Sequence, residues 1–276
     1  MSRGLLGLVF AAAVALVGYG VFRFSLHAGE QPIPAVVAKN DDAHRAVSAA
    51  LDARIGRFLL HDRGPSIAPG AAKLVALSFD DGPYPLRTPL LLDVLADLHV
   101  RATFFLVGND AAQYPLLTER IAHDGHEIAN HTLTHPEHFE NLDAAEVAAE
   151  LSGGASLLER YASDPAIRTM MRPPHGRYSE GTVRAAQRAG YQVILWNDDP
   201  GDWRARIPAA RLAQHVENNA SAPDIILLHS GRISTIEMLP EVVARFRKAG
   251  FTFVTVGEMM SRLPVPAINH PAKMPV

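Results

Sequence analysis

The sequence predicts an α/β fold: a (β/α)7-type barrel of parallel strands, preceded by an N-terminal membrane-anchor helix. From residue 73 onward, short apolar runs alternate with helical patterns, and regular alternation of strand and helix is typical of a parallel sheet. About seven such units in ~200 residues favour a barrel over an open doubly wound sheet. A separate apolar segment at the N-terminus predicts the anchor.

Residues 1–27 are predicted to be a transmembrane anchor or a signal. Gly4 to Phe22 is an uninterrupted apolar segment between Arg3 and Arg23, and about 20 apolar residues suffice to cross a bilayer. The apolar core of a signal peptide is shorter, about 7–15 residues, and is followed by a small-x-small cleavage site. The best candidate site, Leu26-His27-Ala28, has a large residue where a small one is needed. We therefore favour an uncleaved anchor over a cleaved signal or a buried core helix.

Residues 28–72 are predicted to be a spacer between the anchor and the main domain. Pro32 and Pro34 favour an extended chain, and Asn40-Asp41 can cap an amphipathic helix that ends near residue 59. The main domain is predicted to span residues 73–262, and residues 263–276 form a C-terminal tail.

Within the main domain, each strand prediction is a short apolar run and each helix prediction follows a 3.6-residue period. The predicted strands are 74–79, 102–107, 127–131, 169–173, 191–196, 224–229 and 251–256. The predicted helices are 88–98, 115–124, 143–161, 179–189, 208–218 and 236–249. Gly125, Gly190 and Gly250 stand where such helices end.

Composition narrows the function. The net charge of −3 argues against a general nucleic-acid binder. The chain has no cysteine, so a metal site must use histidine and carboxylate ligands. No G-x-G-x-x-G or phosphate-binding loop follows any predicted strand, so nucleotide binding has no local support.

Ionisable residues cluster at the C-terminal ends of the predicted strands. These residues are Asp80-Asp81, His131, Arg172, Asp199 to Asp202 and His229. Because active sites in α/β sheets and barrels lie at that face, the clustering indicates an enzyme. A structural role would scatter such residues among helix surfaces and loops.

Asp80 and Asp81 end the first strand, since Gly82-Pro83 cannot continue it. In a regular strand the two side chains would point to opposite faces. At a turn they can converge, and two close carboxylates then need a cation or an arginine between them. Arg172 is a candidate partner that would hold one aspartate ionised.

His131 and His135 are four residues apart, which on a helical turn would place both imidazoles within reach of one metal ion. Two histidines and a carboxylate form a common catalytic zinc set with a position left for water. Alone the spacing is weak evidence, since surface turns also carry histidines. His123, His126 and His138 are interpreted as solvated.

Three further segments are compatible with ordinary turns when taken singly. Arg172 begins a proline-stiffened loop that could present a backbone N–H to the cleft. Between Trp196 and Trp203, an aspartate could orient a histidine and an exposed tryptophan could stack on a sugar. His229 ends an apolar run, where a lone histidine is more often structural.

Taken together and in order, these segments resemble the NodB-type polysaccharide deacetylases, carbohydrate esterase family four. Five motifs carry the resemblance: SFDDGP (78–83), HTLTH (131–135), RPPHG (172–176), DPGDW (199–203) and LLH (227–229). ATFFLVG (102–108) and GHEIANH (125–131) add to it. The resemblance spans about residues 73–260 and implies a distorted (β/α) barrel.

The resemblance also implies a role for each motif residue. Asp81, His131 and His135 would bind a divalent metal, usually zinc. Asp80 would be the general base, paired with Arg172, and His229 the general acid, supported by Asp202. The main-chain N–H of His175 would stabilise the oxyanion. The predicted substrate-binding residues are Pro173, Pro174, His175, Trp203 and Leu227.

The implied activity is removal of N-acetyl groups from N-acetylglucosamine units of a cell-envelope or exported polysaccharide. The alternatives are hydrolysis of another amide or an O-ester, or an inactive carbohydrate-binding module on the same fold. Two positions depart from the family pattern: His175 replaces an aromatic residue such as tyrosine, and Ser230 stands where an acidic residue is frequent. Neither departure touches the predicted metal ligands or the acid–base pair. We expect a membrane-anchored enzyme with an exported catalytic domain, secreted if the N-terminal segment is cleaved.

Overall fold

The structure, a computed structural model, describes residues 73–262. Within this range, no helix is long and apolar enough to span a membrane. The predicted anchor (1–27), the spacer with its amphipathic helix (28–72) and the tail (263–276) lie outside the described residues and stay predictions.

Seven strands, all in parallel pairs, form one sheet. They are β1 (Lys73–Asp80), β2 (Thr103–Leu106), β3 (Glu127–Asn130), β4 (Met170–Met171), β5 (Gln192–Val193), β6 (Asp224–His229) and β7 (Phe251–Phe253). The helices are α1 (Thr88–Asp97), α2 (Gly108–Gln113), α3 (Pro115–His123), α4 (Ala144–Leu158), α5 (Ala166–Thr169), α6 (Glu180–Arg188), α7 (Ala209–Asn219), α8 (Ile233–Lys248) and α9 (Val256–Arg262). Short 3₁₀ turns cover Phe139–Asn141 and Pro174–Gly176.

The sheet is a half-barrel with strand order β5-β4-β3-β2-β1-β6. β7 lies off this path, because it pairs with Lys73–Val75 of β1 while β2 pairs with Ser78–Asp80. After β5, the chain returns to β6 through a single parallel bridge between Asp198 and Ile226. The predicted parallel α/β fold is therefore confirmed, and its distortion follows from two strands sharing one edge of β1.

The alternation of side chains along β1 decides which residues reach the site. Val75, Leu77 and Phe79 pack into the core beneath the surrounding helices, whereas Leu74 and Ala76 belong to a second core cluster on the opposite face. Because the side-chain period of a strand is two, Ser78 and Asp80 share the face of Leu74 and Ala76. The strand thus delivers Asp80 to the concave side of the sheet.

The six helices predicted for the main domain are confirmed, and the described residues contain three more. Gly125, Gly190 and Gly250 follow α3, α6 and α8 with φ of 80°, 90° and 84°, the left-handed conformation that glycine adopts most easily at helix C-termini. The sequence did not indicate α2, α5 or α9. α9 begins at Val256, where the prediction still placed the end of the last strand.

His126 does not fit its prediction as a solvated residue. Its side chain is buried against Phe104, and its Nδ1 accepts a hydrogen bond of 3.2 Å from the backbone N–H of Ala102. Burial lowers the pKa of His126 to about 4. Because protonation of Nδ1 would also remove the acceptor, the folded chain holds this imidazole neutral.

This buried imidazole is expected to make the fold sensitive to acid. The folded pKa lies below the ordinary value of 6.5, so the stabilisation is complete above pH 6.5 and is lost as the pH falls toward 4. The loss should reach about 3 kcal/mol. Denaturant titrations between pH 7 and pH 4 measure it. The variant His126→Asn, which keeps an acceptor, should lose less stability with acid, whereas His123→Asn, at an exposed position, should behave as wild type. Equal pH slopes in all three proteins would contradict the assignment.

Candidate active site

Asp80 and Asp81 converge because the chain turns at the end of β1. Asp81 has φ 65° and Gly82 has φ 73°, so the strand alternation stops after Asp80. Oδ2 of Asp80 lies 3.8 Å from Nε2 of His131, and Oδ1 of Asp81 lies 3.6 Å from the same nitrogen. The predicted convergence of both carboxylates on one cleft is therefore confirmed.

His131 and His135 do not lie on a helical turn, so that part of the prediction is wrong. Residues 131–135 form a loop in which Thr132 and His135 have φ of 70° and 55°. Glu150 of α4 fixes the loop by accepting hydrogen bonds from the backbone N–H groups of Leu133 and Thr134. The side chain of Asn130 accepts another, from the Thr132 N–H. The loop brings the two rings to a centroid distance of 4.9 Å.

Asp81, His131 and His135 are arranged as a candidate metal centre. One ligand atom from each lies within 4.8 Å of the others, and Oδ1 of Asp81 is 3.4 Å from Nε2 of His135. Metal–nitrogen bonds of ~2.0–2.1 Å in a tetrahedral site require ligand separations of about 3.4 Å, so the 3.4 Å and 3.6 Å distances fit. Nδ1 of His131 lies 2.9 Å from the Arg172 carbonyl oxygen. That contact fixes the tautomer that leaves Nε2 free to bind metal.

The electrostatics of this cluster favour a bound cation. Although burial opposes ionisation of Asp81, the hydrogen bond and charge of His131, with the charges of His229 and His135, hold the pKa of Asp81 well below its ordinary value. Burial and the neighbouring His131 lower the pKa of His135 to about 4. A carboxylate and a neutral imidazole are the forms that bind a metal ion near neutral pH. At His131, burial is outweighed by the charges of Asp80 and Asp81, which raise the pKa of the ring, so metal binding there must displace a proton.

Arg172 lies buried under the cleft and neutralises Asp80. Its Nη1 donates to Oδ1 of Asp80 at 2.6 Å and to Oγ of Ser78 at 3.0 Å. Its Nε and Nη2 donate to the carbonyl oxygens of Ile194 and Leu195, and the guanidinium lies 4.0 Å from the centre of the Phe105 ring. Because the guanidinium is fully buried and amply bonded, it is a fixed positive charge behind Asp80.

His229 and Asp202 form a second buried pair beside the candidate metal centre. Nδ1 of His229 lies 2.7 Å from Oδ1 of Asp202, and Oδ2 of Asp202 accepts from the His229 backbone N–H and from the hydroxyl of Thr235. Burial disfavours the charged imidazole, but the hydrogen bond and charge of Asp202, with the charges of Asp80 and Asp81, raise the pKa of His229 to about 9. His229 is thus protonated at neutral pH.

The comparisons with known proteins agree with this geometry. The family model for polysaccharide deacetylases matches residues 68–194. A peptidoglycan-N-acetylglucosamine deacetylase of Bacillus cereus is 35% identical over 197 residues, which cover 70% of this chain and 90% of the relative. The chain belongs to the polysaccharide deacetylase family.

Two further relatives support this membership. A chitooligosaccharide deacetylase of Bradyrhizobium sp. (strain ANU 289) is 36% identical over 191 residues, covering 64% of this chain and 86% of the relative. The crystal structure of the Bc1960 peptidoglycan N-acetylglucosamine deacetylase, in complex with 4-naphthalen-1-yl-N-oxidanyl-benzamide, superposes with a TM-score of 0.66 at 30% identity. That alignment covers 73% of this chain and 92% of the solved one.

The residues predicted to bind substrate differ in how much surface they offer. Pro173, Pro174 and Leu227 are buried, so they can shape the cleft floor but expose little of themselves. The ring of His175 is partly exposed and packs edge-on against His135 with a centroid distance of 4.6 Å. Trp203 is half-buried, with the guanidinium of Arg204 4.9 Å from its ring centre.

The backbone N–H of His175 suits the predicted role of oxyanion donor. His175 has φ 56° within the turn Pro174–Gly176. Among the described residues, this N–H has no hydrogen-bond acceptor, although the N–H groups of Gly176 and Arg177 are both bonded. It is therefore available to a ligand.

Sequence reasoning missed the residues that support this family site from behind. Glu150 holds the 131–135 loop in place, and Ser78 bridges Arg172 to the backbone carbonyl of Ile226. Tyr84 is half-buried beside Asp81; burial and the Asp81 charge raise its pKa. The alternation of β1 could have indicated Ser78, but nothing local marks Glu150, because its contact lies 17 residues away.

Gly154 of α4 lets the helix approach the 131–135 loop closely. A Cβ at this position would lie 2.9 Å from the carbonyl carbon and oxygen of Thr132 and 2.7 Å from Oδ1 of Asn130. The variant Gly154→Ala is expected to displace the 131–135 loop, lowering zinc affinity at least tenfold and stability by about 1–3 kcal/mol. Calorimetric zinc titration and thermal unfolding measure the two effects.

Gly181→Ala is the matched control for that variant. Gly181 lies in α6, where a Cβ would make only an ordinary contact of 3.7 Å with the Ser179 hydroxyl. Its replacement should leave zinc affinity unchanged and raise stability by about 0.5–1 kcal/mol. If Gly154→Ala bound zinc as the wild type does, the loop would not depend on this close approach.

Proposed function

We propose that the chain is a divalent-metal-dependent hydrolase that removes N-acetyl groups from N-acetylglucosamine units of a cell-envelope or exported polysaccharide and releases acetate. The observation that carries the proposal is the presence of two buried, hydrogen-bonded couples beside the candidate metal centre. Asp80 is bonded to Arg172 at 2.6 Å, and His229 to Asp202 at 2.7 Å. The names of the relatives, which are deacetylases of acetylated amino sugars, support it.

Asp80 is assigned as the general base. Its Oδ1 accepts a hydrogen bond of 2.6 Å from the buried guanidinium of Arg172, and its Oδ2 faces His131 across 3.8 Å at the edge of the candidate metal centre. Asp81, His131 and His135 would hold the divalent ion, most simply Zn²⁺, since nitrogen and carboxylate ligands in a three-residue set suit catalytic zinc. Such an ion supplies Lewis acidity that lowers the pKa of the attacking water and polarises the amide carbonyl.

His229 is assigned as the general acid. An amine is a poor leaving group unless it is protonated, and the raised pKa of His229 keeps a proton on its ring at neutral pH. Asp202 engages Nδ1, so Nε2 is the nitrogen left to donate. The N–H of His175 would stabilise the negative charge on the carbonyl oxygen. Base and acid thus differ in their neighbours: Asp80 is paired with an arginine and His229 with an aspartate.

The main alternatives are hydrolysis of another amide or an O-ester, and an inactive carbohydrate-binding module. An inactive binding module does not require the buried couples Asp80–Arg172 and Asp202–His229. Charged side chains are costly to bury, even when they are paired. Appearance of a free amine on the sugar separates N-deacetylation from ester hydrolysis. We further propose that the N-terminal apolar segment anchors the enzyme with its catalytic domain outside the cytoplasm, where such polysaccharides lie.

Acetate release from chitopentaose tests the function. The full chain, in detergent, should release acetate, should lose this activity after chelation, and should recover it when zinc is added back. Mass spectrometry should show a free amine on the product. An enzyme that keeps its full rate after complete metal removal would refute the metal-dependent mechanism. Zinc binding without acetate release would instead point to a different acetylated substrate.

A further inference from the structure

A cavity of about 340 Å³ opens beside the His229–Asp202 pair. Its walls include Asp202 and four arginines, among them Arg87, Arg206 and Arg232, which come from three separate parts of the chain. Oδ1 of Asp202 contacts His229 at 2.7 Å, and the backbone N–H of Arg232 donates to the His229 carbonyl at 3.4 Å. The cavity therefore shares a wall with the proposed general acid.

These three arginines have no counter-ion in the described part of the chain. None of them forms an ion pair there, whereas the surface arginines Arg101, Arg168 and Arg245 are each paired with a glutamate. The one exposed acidic residue in the cavity wall is Glu237. Gathering like charges costs free energy, and it does so here in a chain whose net charge is −3. Exposed arginines elsewhere, such as Arg188, also form no ion pair with the described residues, so the distinctive feature is the gathering of arginines around one cavity.

The backbone adds to the same positive potential. The helices α1, α7 and α8 begin at this cavity, since their N-cap residues Arg87, Pro208 and Arg232 all line it. None of the three caps uses a side chain to bond the free N–H groups. Helix N-termini carry partial positive charge, which here reinforces the arginines.

The positive surface also extends beyond the first cavity. A second cavity of about 470 Å³ shares Arg206 and Pro208 with it and is lined further along by Arg211 and His215. The two form one groove that leads away from the His229–Asp202 pair. An elongated groove suits a polymer better than an isolated small anion.

We propose that this arginine groove is a subsite for a carboxylate or phosphate group carried by the glycan next to the sugar that loses its acetyl group. The inference rests on the proposed function and narrows its substrate class to acidic glycans rather than neutral chitin-like chains. Arginine suits the role because its planar fork binds carboxylate and phosphate groups in pairs of hydrogen bonds. The exposed Ile233 at the rim also allows contact with an anionic lipid surface, but a concave pocket fits a discrete group better than a flat bilayer.

Three oligosaccharides of matched length test the subsite: neutral chitotetraose, chitotetraose 1-phosphate, and the tetrasaccharide of alternating N-acetylglucosamine and N-acetylmuramic acid, which carries carboxylates. The full-length wild type in detergent should show a kcat/KM at least tenfold higher for one acidic substrate than for chitotetraose. The double variant Arg206→Gln/Arg232→Gln should lose at least tenfold of that preference, mainly through KM. Raising the salt concentration should reduce the wild-type preference, since exposed charge pairs are screened. The preferred substrate identifies the anionic group.

Two further variants keep the test decisive. Arg87→Gln changes an exposed position and should lose a smaller part of the preference for the acidic substrate. It provides the test if the double variant misfolds. Arg188→Gln removes an equally exposed charge from α6, away from the groove, and should keep the preference. A wild type without preference, or a preference that survives the loss of the groove arginines, would overturn the subsite.

Calorimetric binding of the same three oligosaccharides separates this inference from the proposed function. Absence of acetate release from all of them would count against the function alone, while equal affinities for acidic and neutral chains would refute the subsite. Selective binding to phosphatidylglycerol over phosphatidylcholine vesicles, lost in the double variant without any preference among the oligosaccharides, would overturn the glycan assignment in favour of a lipid surface.

Discussion

The variant Asp80→Asn is expected to lower kcat by about 10²–10⁴-fold while the glycan still binds. An amide cannot accept the proton of the attacking water, so the general-base contribution, of that size, is lost. Asp80 lies beside the metal cluster without being needed for its three-ligand set, so zinc affinity should change far less than kcat. Steady-state acetate release and zinc titration measure the two quantities.

The same variant should also destabilise the fold, because Arg172 is left without a charged partner. Breaking a buried ion pair by removing one partner costs about 3–5 kcal/mol, and the asparagine oxygen can recover part of this by accepting from the guanidinium. The double variant Asp80→Asn/Arg172→Met removes the unpaired charge and should regain stability without regaining activity. Thermal and denaturant unfolding of both proteins measure the difference.

Asp97→Asn is the matched control, since Asp97 is an exposed aspartate of α1. It should match the wild type in kcat and in stability. A kcat for Asp80→Asn within a few-fold of the wild type would remove Asp80 from the mechanism. If the double variant proved less stable than Asp80→Asn, Arg172 would owe its place to its hydrogen bonds to Ile194 and Leu195 rather than to the charge of Asp80.

The strands of this fold could be predicted from sequence because most are buried on both faces. β1 and β6 are continuous apolar runs that end in a charged residue, a pattern typical of parallel strands under helices. The helices with a glycine stop were predicted within a few residues. The short helix α2 was not, because Gly108-Asn109-Asp110 resembles the loop expected after a strand.

The sequence predicted which residues form the candidate site, but it did not predict the backbone conformation of the segments that carry them. Asp80, Asp81, His131, Arg172 and His229 come together because parallel strands end at one face, which follows from topology alone. The shape of the 131–135 loop depends on Glu150 and Gly154 of α4, a helix that follows the loop in the sequence and packs against it. Both a helical turn and a loop can bring residues i and i+4 close together, so their spacing does not distinguish the two conformations.

The neighbouring sequence also could not predict which histidines are buried. His126 and His131 stand five residues apart in the same histidine-rich segment, and both are buried. The first is held neutral by packing against Phe104 and a backbone N–H, while the second faces two carboxylates. Only the tertiary partners distinguish a structural imidazole from a ligand.

The variant Asp202→Asn is expected to move the alkaline limit of activity toward acid. His229 must be protonated to act as the general acid, and Asp202 provides the hydrogen bond and charge that raise its pKa to about 9. Without that charge, burial is opposed only by the charges of Asp80 and Asp81, so the pKa of His229 falls toward its ordinary value of 6.5. The fraction of protonated His229 at pH 8 should therefore be large in the wild type and small in the variant.

A pH profile of kcat/KM measures this shift, because its alkaline limb reports the essential acid of the free enzyme. The limb should move by about two pH units toward acid, and kcat/KM at pH 8 should fall by about 10–30-fold. The loss should shrink as the pH is lowered, which a general loss of folding would not produce. Asp199→Asn, in the same loop but hydrogen-bonded to the Gly201 N–H instead of His229, should shift the limb far less. An unmoved limb in Asp202→Asn would show that another group donates the proton to the leaving amine.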